Sequence, residues 1–304
     1  MDEKDWNILL TLHEERNITK AAQRLYISQP ALTYRIQQLE KKFDTHLVTR
    51  GKKGVEFTVQ GEYLVEYAMD MVLQLQKTHD HILQMDMNMK GTLRLGVSSM
   101  FARYELPVIL KNFLYQYPNL DINLKTGWSS KITEMVQREN VHLGIIRGEH
   151  HWQGPKRLIG EENICIASKK KIDFKKLPDM PRINYLTDPS LKNVLDNWWQ
   201  ETYNTPPLIT MEVDRIETCK QMVVHGLGYA ILPAICIKDE EFLFTSPIIM
   251  KDDRPLTRKT WMVYRESTLQ LAYVNSFIDY LIDTLHRGES NNNSVPSVGE
   301  SLAE

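Results

Sequence analysis

From Val59 to Met89 the residues Leu64, Ala68, Met71, Leu75, Thr78, Ile82, Met85 and Met89 recur in alternating steps of four and three, Thr78 being the one polar member. A 3.5-residue period held over nearly four heptads predicts a helix longer than most in globular domains. One such helix can lie alone on its own domain. The sustained period and the polar flanks Glu66, Asp70, Gln74, Gln76 and Lys77 instead predict pairing with a second long helix, hence a homodimer. The seam divides the chain into a leading segment, 1–58, a linker helix, 59–90, and a larger part beyond.

The leading segment reads as helices with one small hairpin. Trp6, Leu9, Leu10 and His13 recur at helical spacing, and Asn17 follows as a stop. Thr19 is the expected cap of a short helix from Lys20 to Tyr26, in which the Ala21-Ala22 pair permits close approach of another helix. Ser28 caps a third helix that tolerates Pro30 in its first turn and carries Leu32, Ile36, Leu39 and Phe43 on one face. Leu47 to Arg50 and Val55 to Thr58 then read as two strands around the basic turn Gly51-Lys52-Lys53-Gly54.

Beyond Gly91 the pattern becomes short strands alternating with helices, the mark of an α/β sheet that binds ligands at its strand C-termini. Strands are expected at 92–97, 121–125, 142–147, 164–168, 210–213, 230–232 and 260–265, and the main helices after Ser98-Ser99 and at 131–139, 192–203, 216–225 and 269–287. The length of this region predicts two subdomains, I from 91–163 plus 265–287 and II from 164–264. The segment 288–304, rich in Asn, Ser and Gly, is expected to be a disordered tail.

The whole chain of 304 residues is nearly neutral, with 37 basic against 39 acidic side chains, but the charge is uneven. Nine basic residues fall between Arg16 and Lys53 and only Glu40 and Asp44 oppose them, a local surplus of seven. A positive patch on a slightly acidic protein points to a polyanion partner. Two short helices joined through Tyr26-Ile27-Ser28 make a helix-turn-helix, so the expected partner is double-stranded DNA, with the second helix in the major groove. Gln29, Thr33, Tyr34 and Gln37 would face bases, with Arg35 flanking; Gln pairs bidentately with adenine and Thr offers a hydroxyl or methyl. Arg50, Lys52 and Lys53 would hold the phosphate backbone as a wing.

Several residues in this segment carry a family resemblance. Asn17-Ile18-Thr19-Lys20-Ala21-Ala22, Leu25, Ile27-Ser28-Gln29-Pro30-Ala31-Leu32-Thr33, Leu39-Glu40, Leu47-Val48-Thr49-Arg50 and Phe57-Thr58-Val59-Gln60-Gly61 resemble the amino-terminal domain of LysR-type transcriptional regulators. The resemblance implies a winged helix-turn-helix, a dimerising linker helix and a two-subdomain effector-binding domain similar to periplasmic solute-binding proteins. It implies that Gln29, Pro30 and Thr33 approach bases and that Arg50 and Lys53 approach the backbone, with Lys20 also counted at the interface. Tyr34 departs from the family, where a basic residue is frequent. The resemblance further implies a homotetramer, with RNA polymerase as a candidate partner.

For the larger part, residues with free hydroxyls at helix starts mark a small-anion site, because helix N-termini present unpaired N–H groups. Ser98, Ser99 and Met100 at the first strand-to-helix step, Ser129 and Ser130 at the second, and Thr218 at the third are the candidates. Arg147, at the end of a strand, is the expected counter-ion for a carboxylate effector. The plainer alternative is that the hydroxyls only cap their helices and that Arg147 pairs with Glu149 or Glu161.

The remaining features exclude other classes. Cys165, Cys219 and Cys236 lie far apart in apolar runs, so buried free thiols are expected rather than disulfides or a zinc site. His150-His151 and His79-x-His81 lack companion ligands, so no metal or other cofactor is expected. No glycine-rich nucleotide loop or nucleophile elbow occurs, which argues against an enzyme. The start lacks a secretory pattern and no stretch is long enough to span a bilayer, so the chain is expected to be cytoplasmic and free of the membrane. A cytoplasmic solute-binding protein or an enzyme on the α/β region is the alternative function.

Overall fold

The computed structural model describes residues 1–51, 54–84 and 89–292. The chain divides into two compact units, Met1–Met87 and Asn88–Glu304.

In the first unit, helix α1 (Glu3–Glu15) opens on a capping box: the Asp2 carboxylate accepts from the Asp5 amide and the Asp5 carboxylate from the Asp2 amide. It stops at Arg16 in the left-handed conformation. Asn17 is therefore not merely a stop but the N-cap of α2 (Ile18–Arg24), its Oδ1 accepting from the Lys20 amide at 3.0 Å, which displaces Thr19 from the capping role. The turn into α3 (Gln29–Phe43) passes through Tyr26 at φ 55°, a left-handed position filled without glycine. Ser28 caps α3, as its sequence predicts. Leu32, Ile36 and Leu39 bury one face of α3; Phe43, expected on that face, is exposed.

Strands β1 (Val48–Gly51) and β2 (Gly54–Phe57) pair antiparallel. The hairpin docks on the end of α1, where the Val55 amide donates to the Arg16 carbonyl at 2.8 Å. Gly54 is needed there twice over, since its φ is +121° and a Cβ would lie 2.4 Å from that carbonyl.

Helix α4 (Val59–Gln84) uses its seam in two ways. Leu64 and Ala68 are buried with Leu9, Leu39 and Leu47 in the unit's own core. Leu75 and Ile82 are exposed, as are Tyr63 and Tyr67 nearer the helix start. Met85 lies outside the described residues. Met89, expected to close the seam, instead packs against the core of the second unit. Glu62 fastens α4 to α1 through His13 at 2.8 Å and Arg16 at 3.1 Å.

The second unit is built on a seven-stranded sheet in the order β10-β6-β11-β5-β3-β4, with β9 also on β6, from strands β3 (Gly91–Ser98), β4 (Leu120–Gly127), β5 (Leu143–Arg147), β6 (Lys156–Ser168), β9 (Ala230–Pro233), β10 (Phe244–Pro247) and β11 (Thr257–Tyr264). Strands β7 (Arg182–Tyr185) and β8 (Ile209–Val213) form a parallel pair. Helices α5 (Ser99–Tyr104), α6 (Leu106–Gln116), α7 (Ser129–Gln137), α8 (Pro189–Thr202), α9 (Ile216–Val224) and α10 (Ala272–Asn292) complete it.

Two subdomains follow from this sheet. Around β3, β4 and β5, Phe113 of α6 meets Phe277 of α10 edge-on at 4.9 Å, and Ile132 and Val136 of α7 pack the opposite face. The other subdomain surrounds the C-terminal half of β6, with α8 and α9 on its cores. The continuous β6 joins them, its first half paired with β11 and its second with β9 and β10.

Strand β11 also pairs with β5 from Thr260 to Tyr264, so those residues belong to the first subdomain's sheet rather than to the second subdomain up to 264. Helix α10 runs to Asn292, so 288–292, expected in the tail, are helical. Residues 293–304 lie outside the described residues.

A Cβ on Gly61 would lie 2.1 Å from the Leu47 carbonyl oxygen, which accepts from the Thr58 amide. Gly61→Ala is expected to destabilise the first unit by about 1–3 kcal/mol. An unchanged unfolding midpoint in denaturant would contradict this contact.

Candidate functional site

The candidate nucleic-acid face is the outward side of α3. Gln29, Pro30, Tyr34 and Gln37 are exposed and Thr33 is half-buried, while Leu32 and Ile36 turn inward, so the helical period separates the candidate contact residues from the core. Tyr34 is 60% exposed. The Thr19 hydroxyl donates to Gln29 Oε1 at 3.3 Å, fixing one end of α3 to α2, and Lys20 is exposed on α2.

Arg35 is not free to flank this face. It reaches Asp2 at 3.4 Å and Asp5 at 3.6 Å, at the opening of α1. Arg16 is held by Glu62, and Arg24 by Glu14 at 2.7 Å and Glu15 at 2.9 Å. The positive surplus of the segment is thus partly answered by acids outside it in sequence, a point that counting from Arg16 to Lys53 missed. Arg50 lies in β1, and Lys52 and Lys53 lie outside the described residues.

The second site is a cavity of about 170 Å³ between the two subdomains of the larger unit. Ser98, Ser99 and Met100 at the start of α5, Ser129 at the start of α7, and Arg147 line it as the sequence predicts. Ser130 is exposed and Thr218 half-buried, and neither lines the cavity. Sequence reasoning missed Tyr185, Asp188 and Arg258, because β7 and the first half of β11 were not read as strands, and it missed Trp128, the residue just before α7.

Helices α5, α7 and α9 start at this cavity with no side chain capping them, so their N–H groups are unused by caps. The Ser129 hydroxyl accepts from the Arg147 amide at 2.9 Å, but the Ser98 hydroxyl, buried beside it, has no partner among the described residues. The Tyr185 hydroxyl is equally orphaned.

Two arginines form the floor. Arg147 is 2% exposed and ion-paired with Glu162, which neither plain alternative anticipated, since Glu149 and Glu161 were the candidates. Burial, and then the neighbouring Arg258, push the Arg147 guanidinium down to about 9, so it still carries its charge at neutral pH. Arg258, 8% exposed, is ion-paired with Asp188 and donates to the Arg147 carbonyl at 3.4 Å.

Both pairs lie where β6 and β11 cross from one subdomain to the other. Glu162 also accepts from the Ile235 amide at 2.6 Å, and Asp188 caps α8 through the Leu191 amide at 3.0 Å. The cavity thus presents cationic, hydroxyl and amide donors to a small ligand. Among the described residues there is no cluster fit to hold a metal ion. The three cysteines are buried free thiols, and burial pushes Cys219 and Cys236 up to about 12.

Comparison with known proteins assigns both parts of the chain to one family. Residues 4–62 match the bacterial regulatory helix-turn-helix protein, lysR family, and residues 88–286 match the LysR substrate binding domain. The chain belongs to the LysR family of DNA-binding transcriptional regulators. It is 45% identical over 92% of its length to the uncharacterized HTH-type transcriptional regulator YraN of Bacillus subtilis, covering 97% of that protein. To YkuM, an uncharacterized HTH-type regulator of the same organism, it is 34% identical over 94% of this chain and 98% of the relative. The fold matches full-length CbnR complexed with its target DNA, with a TM-score of 0.69, 18% identity, and coverage of 93% of this chain and 100% of that one. No described helix of this LysR-type regulator is long and apolar enough to cross a membrane.

The Asp188–Arg258 pair makes the larger unit sensitive to acid. Burial opposes ionisation of Asp188, but Arg258, the Ser190 hydroxyl and the Leu191 amide together hold its carboxyl below the ordinary value of 3.8. The stabilisation is complete above that value and is lost as pH falls through the lower folded-state value. Asp188→Asn should flatten the acid limb of a stability titration below pH 3.8 and cost about 3 kcal/mol at neutral pH by leaving Arg258 unpaired. An acid limb as steep as the parent's would refute the linkage.

Proposed function

We propose that this LysR-type regulator senses a small carboxylate in the cavity between its subdomains and reads a roughly palindromic operator with paired α3 helices. The observation that carries the ligand class is the donor set of the cavity: three uncapped helix N-termini, the orphaned Ser98 and Tyr185 hydroxyls, and the buried Arg147 and Arg258. Ser98, Ser99, Met100 and Ser129 hold the carboxylate, with Arg258 and Arg147 as the counter-charge beneath.

The response follows from the ion pairs. An anion drawn to Arg147 and Arg258 competes with Glu162 and with Asp188, the latter tying Arg258 to the start of α8. The entering charge therefore favours one arrangement of the subdomains over another, a population shift set by its differential affinity. That arrangement alters inter-subunit packing and with it the spacing of the two reading helices.

On the DNA side, Gln29, Pro30 and Thr33 approach base edges, with Tyr34 and Gln37 beside them, while Lys20, Arg50, Lys52 and Lys53 hold phosphates. Arg35 acts indirectly, by fixing α3 to the start of α1. The exposed Tyr63, Tyr67, Leu75 and Ile82 of α4 support the linker helix as the homodimer surface, and a homotetramer built from two such dimers is the working assembly. The regulator works in the cytoplasm, with RNA polymerase as its downstream partner, and carries no cofactor or enzymatic activity.

Calorimetry of the full-length protein against a panel of mono- and dicarboxylates tests the ligand class. At least one acid should bind, and Ser98→Ala should weaken it about tenfold by removing the orphaned hydroxyl. Binding of neutral sugars or amines in preference to every acid would overturn the reading. On DNA, Gln29→Ala with Thr33→Ala should cost about tenfold or more in specific affinity with little change on unrelated duplex. A footprint as tight as the parent's would remove α3 as the reader.

A further inference from the structure

We propose that the pocket bounded by β7, β8 and α8 is a second ligand site, taking a zwitterion of the amino-acid class with its carboxylate on Arg182 and its ammonium at Asp196 and Glu212. The pocket measures about 420 Å³, larger than the cavity between the subdomains. The two share a wall at Tyr185, Leu186, Thr187 and Asp214, but the floor here is separate: Arg182, Leu195 and Ile231 belong to this pocket alone.

Arg182 is the reason to expect an anion. It is 8% exposed and forms no ion pair among the described residues, and its Nε has no hydrogen-bond partner. Arg147 and Arg258 also have an unpartnered Nε, but each is ion-paired with a carboxylate, so the contrast within the same unit lies in the missing ion pair. The Trp199 ring lies 5.4 Å from its guanidinium carbon, and the Tyr229 hydroxyl, fully buried, is likewise without a partner. Asp196 acts on Arg182 only at a distance, and a desolvated guanidinium without an ion-paired anion is costly, of which a cation–π contact recovers only part. A carboxylate entering the pocket would satisfy Arg182 with a charge-assisted, fork-shaped pair.

The rim decides what else that anion carries. Lys192, Asp196, Glu212 and Asp214 are exposed around the opening, one cation against three carboxylates. A phosphate dianion would meet this acidic rim unfavourably, whereas a carboxylate joined to an ammonium places each charge against its opposite. Ile183, Leu195 and Ile231 supply an apolar wall for a side chain.

The test is calorimetry on the full-length protein with the proteinogenic L-amino acids, their deaminated carboxylic acids and inorganic phosphate. Each is titrated into the parent and into Ser99→Trp, which crowds the other cavity. An amino acid should bind both chains alike. Arg182→Gln should weaken it about tenfold or more, the scale of a lost charged hydrogen bond. Asp196→Asn with Glu212→Gln, both on the exposed rim, should weaken the amino acid severalfold and leave its deaminated acid unchanged.

Should Arg182→Gln fail to fold by circular dichroism, the rim variant decides, and an unaltered amino-acid affinity there overturns the proposal. Loss of all amino-acid binding in Ser99→Trp, or phosphate binding more tightly than any amino acid, overturns it as well. Because the carboxylate reading of the other cavity is probed by Ser98→Ala, either site can fail without the other.

Discussion

Two buried ion pairs at the crossing between the subdomains set the geometry of the larger unit. Arg147 ends a strand of one subdomain and meets Glu162 on the continuous strand β6, while Arg258, on the returning strand β11, meets Asp188 at the head of α8. Removing one partner of such a pair strands a desolvated charge, which is far more costly than never having buried the pair. The floor of the cavity is therefore held by charges that are also its most attractive feature for an anion. In the proposed function the same groups stabilise the resting arrangement and answer the ligand.

The smaller unit follows a different logic. Its charges are spent on fastening: Arg16, Arg24 and Arg35 each lean on carboxylates of α1 or α4. What remains outward on the first two turns of α3 is uncharged, namely Gln29, Thr33, Tyr34 and Gln37, while the exposed cations Lys41 and Lys42 sit in its last turn. Neutral amides and hydroxyls discriminate bases, whereas unpaired cations add affinity without sequence information. In the proposed function, an uncharged opening of α3 suits a regulator that must find one operator among many sites.

Much of this was legible in the sequence because local signals agreed. The Ser28 cap, Pro30 in the first turn and the Leu32, Ile36, Leu39 face all specified α3, and the hydroxyl steps at Ser98 and Ser129 pointed to the cavity. The failures were of two physical kinds. Arg35, Arg16 and Arg24 looked like a surface patch because their acidic partners lie elsewhere in the chain, and pairing across a fold leaves no local trace. Tyr185, Asp188 and Arg258 were missed because β7 is only four residues long and β11 mixes charged and apolar positions, so neither gives a clean two-residue period. The heptad seam was half right: the period is real, but its first apolar members serve the unit's own core.

The central claim is that the cavity and the operator are energetically coupled, and linkage tests it without assuming any path between them. The acid that binds best is titrated into free protein and into the protein–operator complex, and operator affinity is measured with and without saturating acid. The account predicts that both ratios differ from one and agree with each other, as thermodynamic reciprocity requires of two coupled binding equilibria. Identical affinities in the presence and absence of the second partner would contradict it.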